Sequence, residues 1–199
     1  MKISKTIAIA AIFTLVATIT SCKGANTTKD NANTADTTAV ADSVEAETYL
    51  TAIDRYLVDS IGKFFDKADA SIPNIQIIAV DEQNPEDILA WGCYWIENFN
   101  IAGDTLKMKS GGSYPGLMHV SNSDERICVT SFECVADGSD FLPSAKRIFA
   151  EKYDKFAKLN SDDVARDETR MKAIKEFVAK HNLKVTLVYD YGWPVKPIK

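Results

Sequence analysis

The chain has 199 residues, with 28 acidic and 23 basic side chains and a net charge of −5. Such a composition offers no basic face for nucleic acid, and anionic lipid head groups would repel it mildly. Its two histidines, His119 and His181, lie far apart with no cysteine or carboxylate pair beside them, so no metal or cofactor signature emerges.

Lys2 and Lys5 open the chain, and Thr6 to Thr20 ("TIAIAAIFTLVATIT") then carries no charge. Fifteen residues make only about 22 Å of helix, short of the ~30 Å hydrocarbon core of a bilayer. A positive start, a short apolar run and small residues after it describe an export signal rather than a membrane span. Here Ile19, Thr20 and Ser21 precede Cys22. That quartet resembles the lipobox of bacterial lipoproteins. The resemblance implies a signal peptide over 1–21, cut before Cys22, with diacylglycerol on the cysteine thiol and a further acyl chain, such as palmitate, on its new amino group. Three acyl chains exceed the two signals that stable anchoring needs. In that family a lysine such as Lys23 after the cysteine, in place of aspartate, implies onward transport to the outer membrane. Removing Lys2 and Lys5 leaves 21 basic against 28 acidic residues, a mature charge of −7.

Residues 22–43 continue as a polar tether. "KGANTTKDNANTADTTAVADS" has one Val and no aromatic residue, too little apolar surface to offset ordering entropy. As a flexible coil it spans on the order of 25 Å, and at most about 70 Å when taut. The rest, 44–199, suits a single domain with one core.

In that domain, Tyr49, Leu50, Ile53, Tyr56, Leu57, Ile61 and Phe64 recur every three or four residues and predict a helix from about Glu45 to Lys67. Pro73 closes off any continuation, and Ile75 to Val80 reads as a strand. Strand-like runs follow at Ile88–Ile101, Thr105–Lys109, Gly116–Ser121 and Arg126–Ala136. Turn signals separate them, including Gly111-Gly112 with Pro115-Gly116, which read as a hairpin loop. The period then turns helical over Phe141, Leu142, Ala145, Ile148, Phe149, Tyr153, Phe156 and Leu159, with Asp140 placed to cap and Pro143 in the first turn. A further helix starts near Asp162 or Asp163 and carries Val164, Met171, Ile174, Phe177 and Val178 on one side, with Asn182 as a left-handed cap. A last strand alternates Val185, Leu187, Tyr189 and Tyr191. The fold class is α+β: a curled antiparallel sheet of about five to six strands, with an N-terminal helix and two later helices packed on it. That order resembles cystatin-like and nuclear-transport-factor-2-like domains, a fold-level analogy that implies no function.

Chemistry is sparse. Cys128 and Cys134, on one strand, would stand roughly 20 Å apart, so only Cys93 could reach either by a disulfide, and the alternative is three buried thiols. "WGCYW" resembles the papain-like peptidases in setting aromatic residues around a cysteine, which would make Cys93 a nucleophile, His119 its base and Asp137 or Asn182 an orienting group. It lacks their upstream cysteine, and a strand offers no helix dipole to lower the thiol pKa. Aromatic residues carry more of the signal. Trp91 and Trp95 share a strand face, Tyr114 follows in the glycine-rich stretch, and Trp193 sits in the terminal "YGWPVKP". These four are the candidates for lining a ligand site, for a glycan, lipid, peptide or other small molecule. The sequence therefore favours a lipid-anchored, non-enzymatic envelope module that binds a ligand or partner. A cysteine-dependent hydrolase and a purely structural subunit remain as alternatives.

Overall fold

The long apolar run around Trp91 becomes the axis of the sheet. The computed structural model describes residues 47–123 and 126–198, and in it this run is strand β2 (Ile88–Ala102). Strand β1 (Ala70–Asp81) pairs antiparallel along one edge of it, from Ala70 opposite Phe99 to Asp81 opposite Leu89. β1 therefore starts earlier than the Ile75 read from the sequence and runs through Pro73. An edge strand tolerates a proline because its outer N–H groups need no partner.

Two strands share the other edge of β2. β3 (Thr105–Ser113) covers Ala102 back to Trp95, and β4 (Gly116–Ser123) covers Gly92 back to Ile88. The register passes from one to the other unshifted: Ser113 lies opposite Trp95, the Tyr114 N–H donates to the Tyr94 carbonyl at 2.7 Å, and Gly116 lies opposite Gly92. β3 and β4 are in effect one strand, interrupted where Pro115 has no N–H to give. The hairpin loop expected at "SGGSYPG" is thus not a turn. Its glycines serve close packing: a Cβ on Gly116 would stand 2.2 Å from the Glu133 carbonyl oxygen. The Tyr114 ring folds over Gly112, and the Tyr94 ring folds over Gly92, with its hydroxyl donating to the Ala90 carbonyl at 2.7 Å.

β5 (Arg126–Cys134) pairs antiparallel with β4. At the other end, β6 (Leu187–Tyr189) runs parallel to β3, and β7 (Lys196–Pro197) antiparallel to β6. The expected alternation of Val185, Leu187, Tyr189 and Tyr191 fails. β6 turns Val188 inward opposite Leu106, and Tyr191 is 89% exposed.

Helices cover both faces. α1 (Tyr49–Tyr56) starts at a reciprocal cap between Thr48 and Thr51, continues as a π-helical turn (Leu57–Ile61), and ends in a 3-10 turn (Gly62–Phe64). The helical run stops three residues before the expected Lys67, and Phe64 lies exposed rather than in the core; Glu45 lies outside the described residues. Ala52, Ile53, Leu57 and Ile61 bury Ala90, Tyr94, Ile96, Met118 and Val120 on the first face.

The opposite face carries α2 (Phe141–Phe149), α3 (Tyr153–Asn160) and α4 (Asp163–Lys180), three helices where two are expected. Ala150, at φ 44°, breaks the first of the two. In an unbroken helix Phe149 and Phe156 would lie about 10 Å apart along the axis. The break stacks their rings at 4.1 Å, only 6° from parallel. Asp140 does not cap α2 with its side chain. Ser144 Oγ takes over locally, donating to the Asp140 carbonyl at 2.6 Å and accepting from the Ala136 N–H at 3.0 Å. α4 begins and ends as its sequence signals: Asp162 accepts from the Ala165 N–H at 2.9 Å, and Asn182 takes φ 51°. No helix among the described residues is long and apolar enough to cross a membrane.

Gly116→Ala should cost about 1–3 kcal/mol, since the strands must part or the Cβ must enter Glu133. The control is Gly62→Ala, where the nearest atom to the added Cβ is 3.5 Å away. Urea unfolding should show that control neutral or slightly stabilised; equal stabilities for the two variants would contradict the packing role.

A candidate ligand-binding cleft

Side chains alternate along β1 and β2, so one face carries Ala70, Ile72, Asn74 and Gln76 beside Trp91, Cys93, Trp95, Glu97 and Phe99. Its two ends are apolar and covered. Cys93 lies under Phe149 and Ala145, while Phe99 and Ile72 lie near Ile174 of α4. Between them the floor turns polar, with Asn74 opposite Trp95 and Ile72 opposite Glu97. There an open cleft of about 840 Å³ forms, walled by the first half of α4 and the segment after β6.

Arg170 of α4 holds that floor. Its Nε lies 2.7 and 2.8 Å from the two Glu97 oxygens, and its two terminal nitrogens reach Asp190 at 2.5 and 3.1 Å. The three side chains are only 10%, 15% and 18% exposed, so the network is nearly dry. Asp167 stands 3.8 Å from the same guanidinium and is bound at 2.9 and 3.0 Å by Lys196. Burial pushes the Glu97 carboxyl above its ordinary value, Arg170 pulls it back only in part, and Asp190 and Asp167 add repulsion. Burial also works against the charge on Arg170, but Glu97 and Asp190 together hold its pKa above the usual one. One cation shared among three carboxylates offsets the burial of Glu97 only in part, while those carboxylates outweigh the burial of Arg170.

The mouth is aromatic. Asp190 to Trp193 forms a turn closed by the Trp193 N–H donating to the Asp190 carbonyl at 3.0 Å, with Gly192 at φ 81°. A left-handed residue at that position favours glycine. The turn is tethered at Asp190 by Arg170 and presents Tyr191 and Trp193, 89% and 69% exposed, at the rim. Val164 stands across from them on α4, exposed rather than on the helix's buried side.

Of the four aromatic candidates, Trp95 and Trp193 line the cleft. Trp91 does not. Its Nε1 donates to the Ile148 carbonyl at 3.0 Å and its ring lies 4.1 Å from the Lys152 ammonium, so it anchors the α2–α3 corner. Tyr114 packs on the opposite face against the α1 cluster. Asn74, Glu97, Arg170 and Asp190 escape a sequence reading because they are ordinary polar residues far apart in the chain. Of the site, the sequence signals only Trp95 on its strand and Trp193 in the terminal "YGWPVKP".

Cys93 and His119 are not assembled into a pair. His119 is opposite Leu89, four residues or about 13 Å along β2 from Cys93, and its Nδ1 lies 2.7 Å from Asp87 Oδ1. Cys93 is fully buried, and burial pushes its thiol up to about 12, the reverse of an activated nucleophile. Cys93, Cys128 and Cys134 are all free thiols. The latter two are exposed rather than buried. A bulge between them reverses the alternation of β5, so they do not share a face: Ile127 and Val129 before it and Phe132 after it face one cluster. Among the described residues no group of three His, Cys, Asp or Glu side chains could hold a metal. Comparison with protein-family models, curated proteins and solved structures finds no match.

Arg170→Leu should cost about 3–5 kcal/mol at neutral pH, the penalty for leaving buried carboxylates without their cation. A carboxyl whose folded pKa is raised favours the folded state when protonated, so stability falls as pH rises from the ordinary carboxylate range through the folded value. Without Arg170 that window widens upward. Acidification from pH 7 to 5 should therefore restore more stability to the variant than to the wild type in urea melts. A gap independent of pH would refute the shared-cation account.

Proposed function

We propose that this chain is a lipid-anchored lipoprotein of the bacterial envelope, sorted to the outer membrane, whose folded domain binds a small organic ligand in the cleft. The observation that carries the reading is the cleft itself. Its volume of about 840 Å³ falls within the range of small-molecule sites, and its lining combines aromatic faces with a few convergent polar groups. A salt-bridge network beneath it fixes its shape in advance, which lowers the ordering cost of binding. Two large aromatic side chains on a tight turn give contact area that a purely structural segment would not expose.

The anchor rests on the lipobox-type quartet at Cys22, which lies outside the described residues, as does the tether of residues 22–43. Together they would keep the cleft within a few tens of ångströms of the membrane. The burial of Cys93 and its separation from His119 weigh against the hydrolase alternative.

Mass spectrometry of the membrane-extracted protein should find Cys22 acylated at its thiol and its amino group, and Cys22→Ser should move the chain out of the membrane fraction. An unmodified Cys22 in the native protein would sink the anchoring proposal. For the cleft, the full-length protein in detergent is titrated with small-molecule and sugar libraries while tryptophan emission is followed. Binders should shift the emission, and Trp193→Ala should weaken them about tenfold, as loss of an interfacial aromatic does. If the libraries yield no binder, or if Trp193→Ala leaves their affinities unchanged, the cleft is not the site.

A further inference from the structure

We infer that the ligand of the cleft is a protonated amine carried on an apolar stem; this rests on the reading of the cleft as a ligand site. Charge gives the first argument. Glu97, Asp163, Asp167, Glu168 and Asp190 line the cleft against three cations, Arg166, Arg170 and Lys196. Each cation is already held: Arg170 by Glu97 and Asp190, Lys196 by Asp167, and Arg166 by Asp163 at 2.6 Å. Glu168 has no ion-pair partner among the described residues. An incoming carboxylate or phosphate meets no free cation and an excess of negative charge, whereas an incoming ammonium is attracted.

Asn74 gives a second and independent argument. It lines the cleft from β1, is only 4% exposed, and its carboxamide oxygen has no hydrogen-bond partner among the described residues. A buried acceptor left unpaired is costly, and a ligand N–H would relieve it where an apolar group or an anion could not. Lining aromatics complete the chemistry. Trp95, Trp193 and Tyr191 offer π faces to a cation, and Met108 and Val164 offer apolar surface to a stem. Neutral sugars could also donate to Asn74 and stack on tryptophan, but they would draw nothing from the surplus carboxylates. The surplus decides for the amine.

The test uses the full-length protein in detergent, tryptophan emission, and four probes of nearly one shape: phenethylamine, phenethyl alcohol, phenylpropionate and phenethyltrimethylammonium. At low salt the amine should bind at least about tenfold more tightly than the alcohol, and phenylpropionate should bind most weakly. The quaternary analogue, with charge but no N–H, should lie about threefold below the amine. Glu168→Gln, at an exposed position remote from the folding core, should weaken the amine about threefold to tenfold and leave the alcohol unchanged. Asn74→Ala should erase the difference between the amine and its quaternary analogue, with circular dichroism reporting that the variant is folded. Equal binding of amine and alcohol, or an amine affinity indifferent to Glu168→Gln, overturns the inference. So does the absence of binding by any of the four probes. In each of these cases, neutral binders from the libraries that respond to Trp193→Ala would leave the cleft standing as a site, while the absence of any such binder removes both.

Discussion

Arg170 is the constraint on which the site depends. A single guanidinium reaches Glu97 on β2 and Asp190 after β6, and Asp167 of its own helix stands nearby. Each of these carboxylates belongs to a different element, so one planar fork fixes how α4, the sheet and the C-terminal segment meet. Taking these charges out of water is expensive, and the raised Glu97 carboxyl records a cost not fully recovered. A well-packed apolar contact would hold the same elements more cheaply. What apolar contact would not do is orient the Asp190 turn, whose carboxylate must sit where two nitrogens of a rigid donor reach it. Geometry, more than stability, is what the ion network contributes.

The cleft exists because helices cover the sheet unevenly. α1 seals one face with a continuous apolar cluster. The other face has two separate clusters, one under α2 and α3 and one under α4, with Asn74, Trp95 and Glu97 on the floor between. A polar floor cannot be closed by an apolar helix face without leaving groups unsatisfied. Arg170 satisfies Glu97, and Thr169 with the Ala165 carbonyl satisfies the Gln76 amide nitrogen at 2.9 and 3.2 Å. The side-chain oxygens of Asn74 and Gln76 have no such neighbour among the described residues, and of the two only Asn74 lines the cleft. The same alternation that builds the sheet therefore leaves an open, unequally charged strip across its middle.

The rim follows from backbone conformation. Gly192 permits the tight turn, the turn puts Tyr191 and Trp193 outside the fold, and Arg170 stops it from drifting. Large aromatic groups so placed add area for a ligand at little entropic cost, since the element bearing them is already fixed. Trp91 shows the contrast. Its face is the same as that of Trp95, yet four residues along the strand its indole is spent on the Ile148 carbonyl and under Lys152.

Much of the architecture is local information and was legible without coordinates. Apolar periodicity located α1, the long β2 and α4, and the Asp162 and Asn182 caps marked the ends of α4, because caps and periodicity act within a few residues. The lipobox-type quartet at Cys22 is likewise a local signal. Glycine and proline in "SGGSYPG" misled, since a glycine that makes room for a neighbouring strand carries the same letter as one that makes a turn. The split of α2 from α3 was hidden for a related reason: stacking Phe149 on Phe156 outweighs a strained Ala150, and that balance exists only once the sheet is beneath them. The polar part of the site belongs to tertiary structure, whereas Trp95 and Trp193 were candidates from the sequence. Asn74, Glu97, Arg170 and Asp190 span more than half of the chain, and no pattern in the sequence links them. Periodicity determined which faces the elements bury; only packing decided which polar residues would meet, because burial without a partner is what forces charges together.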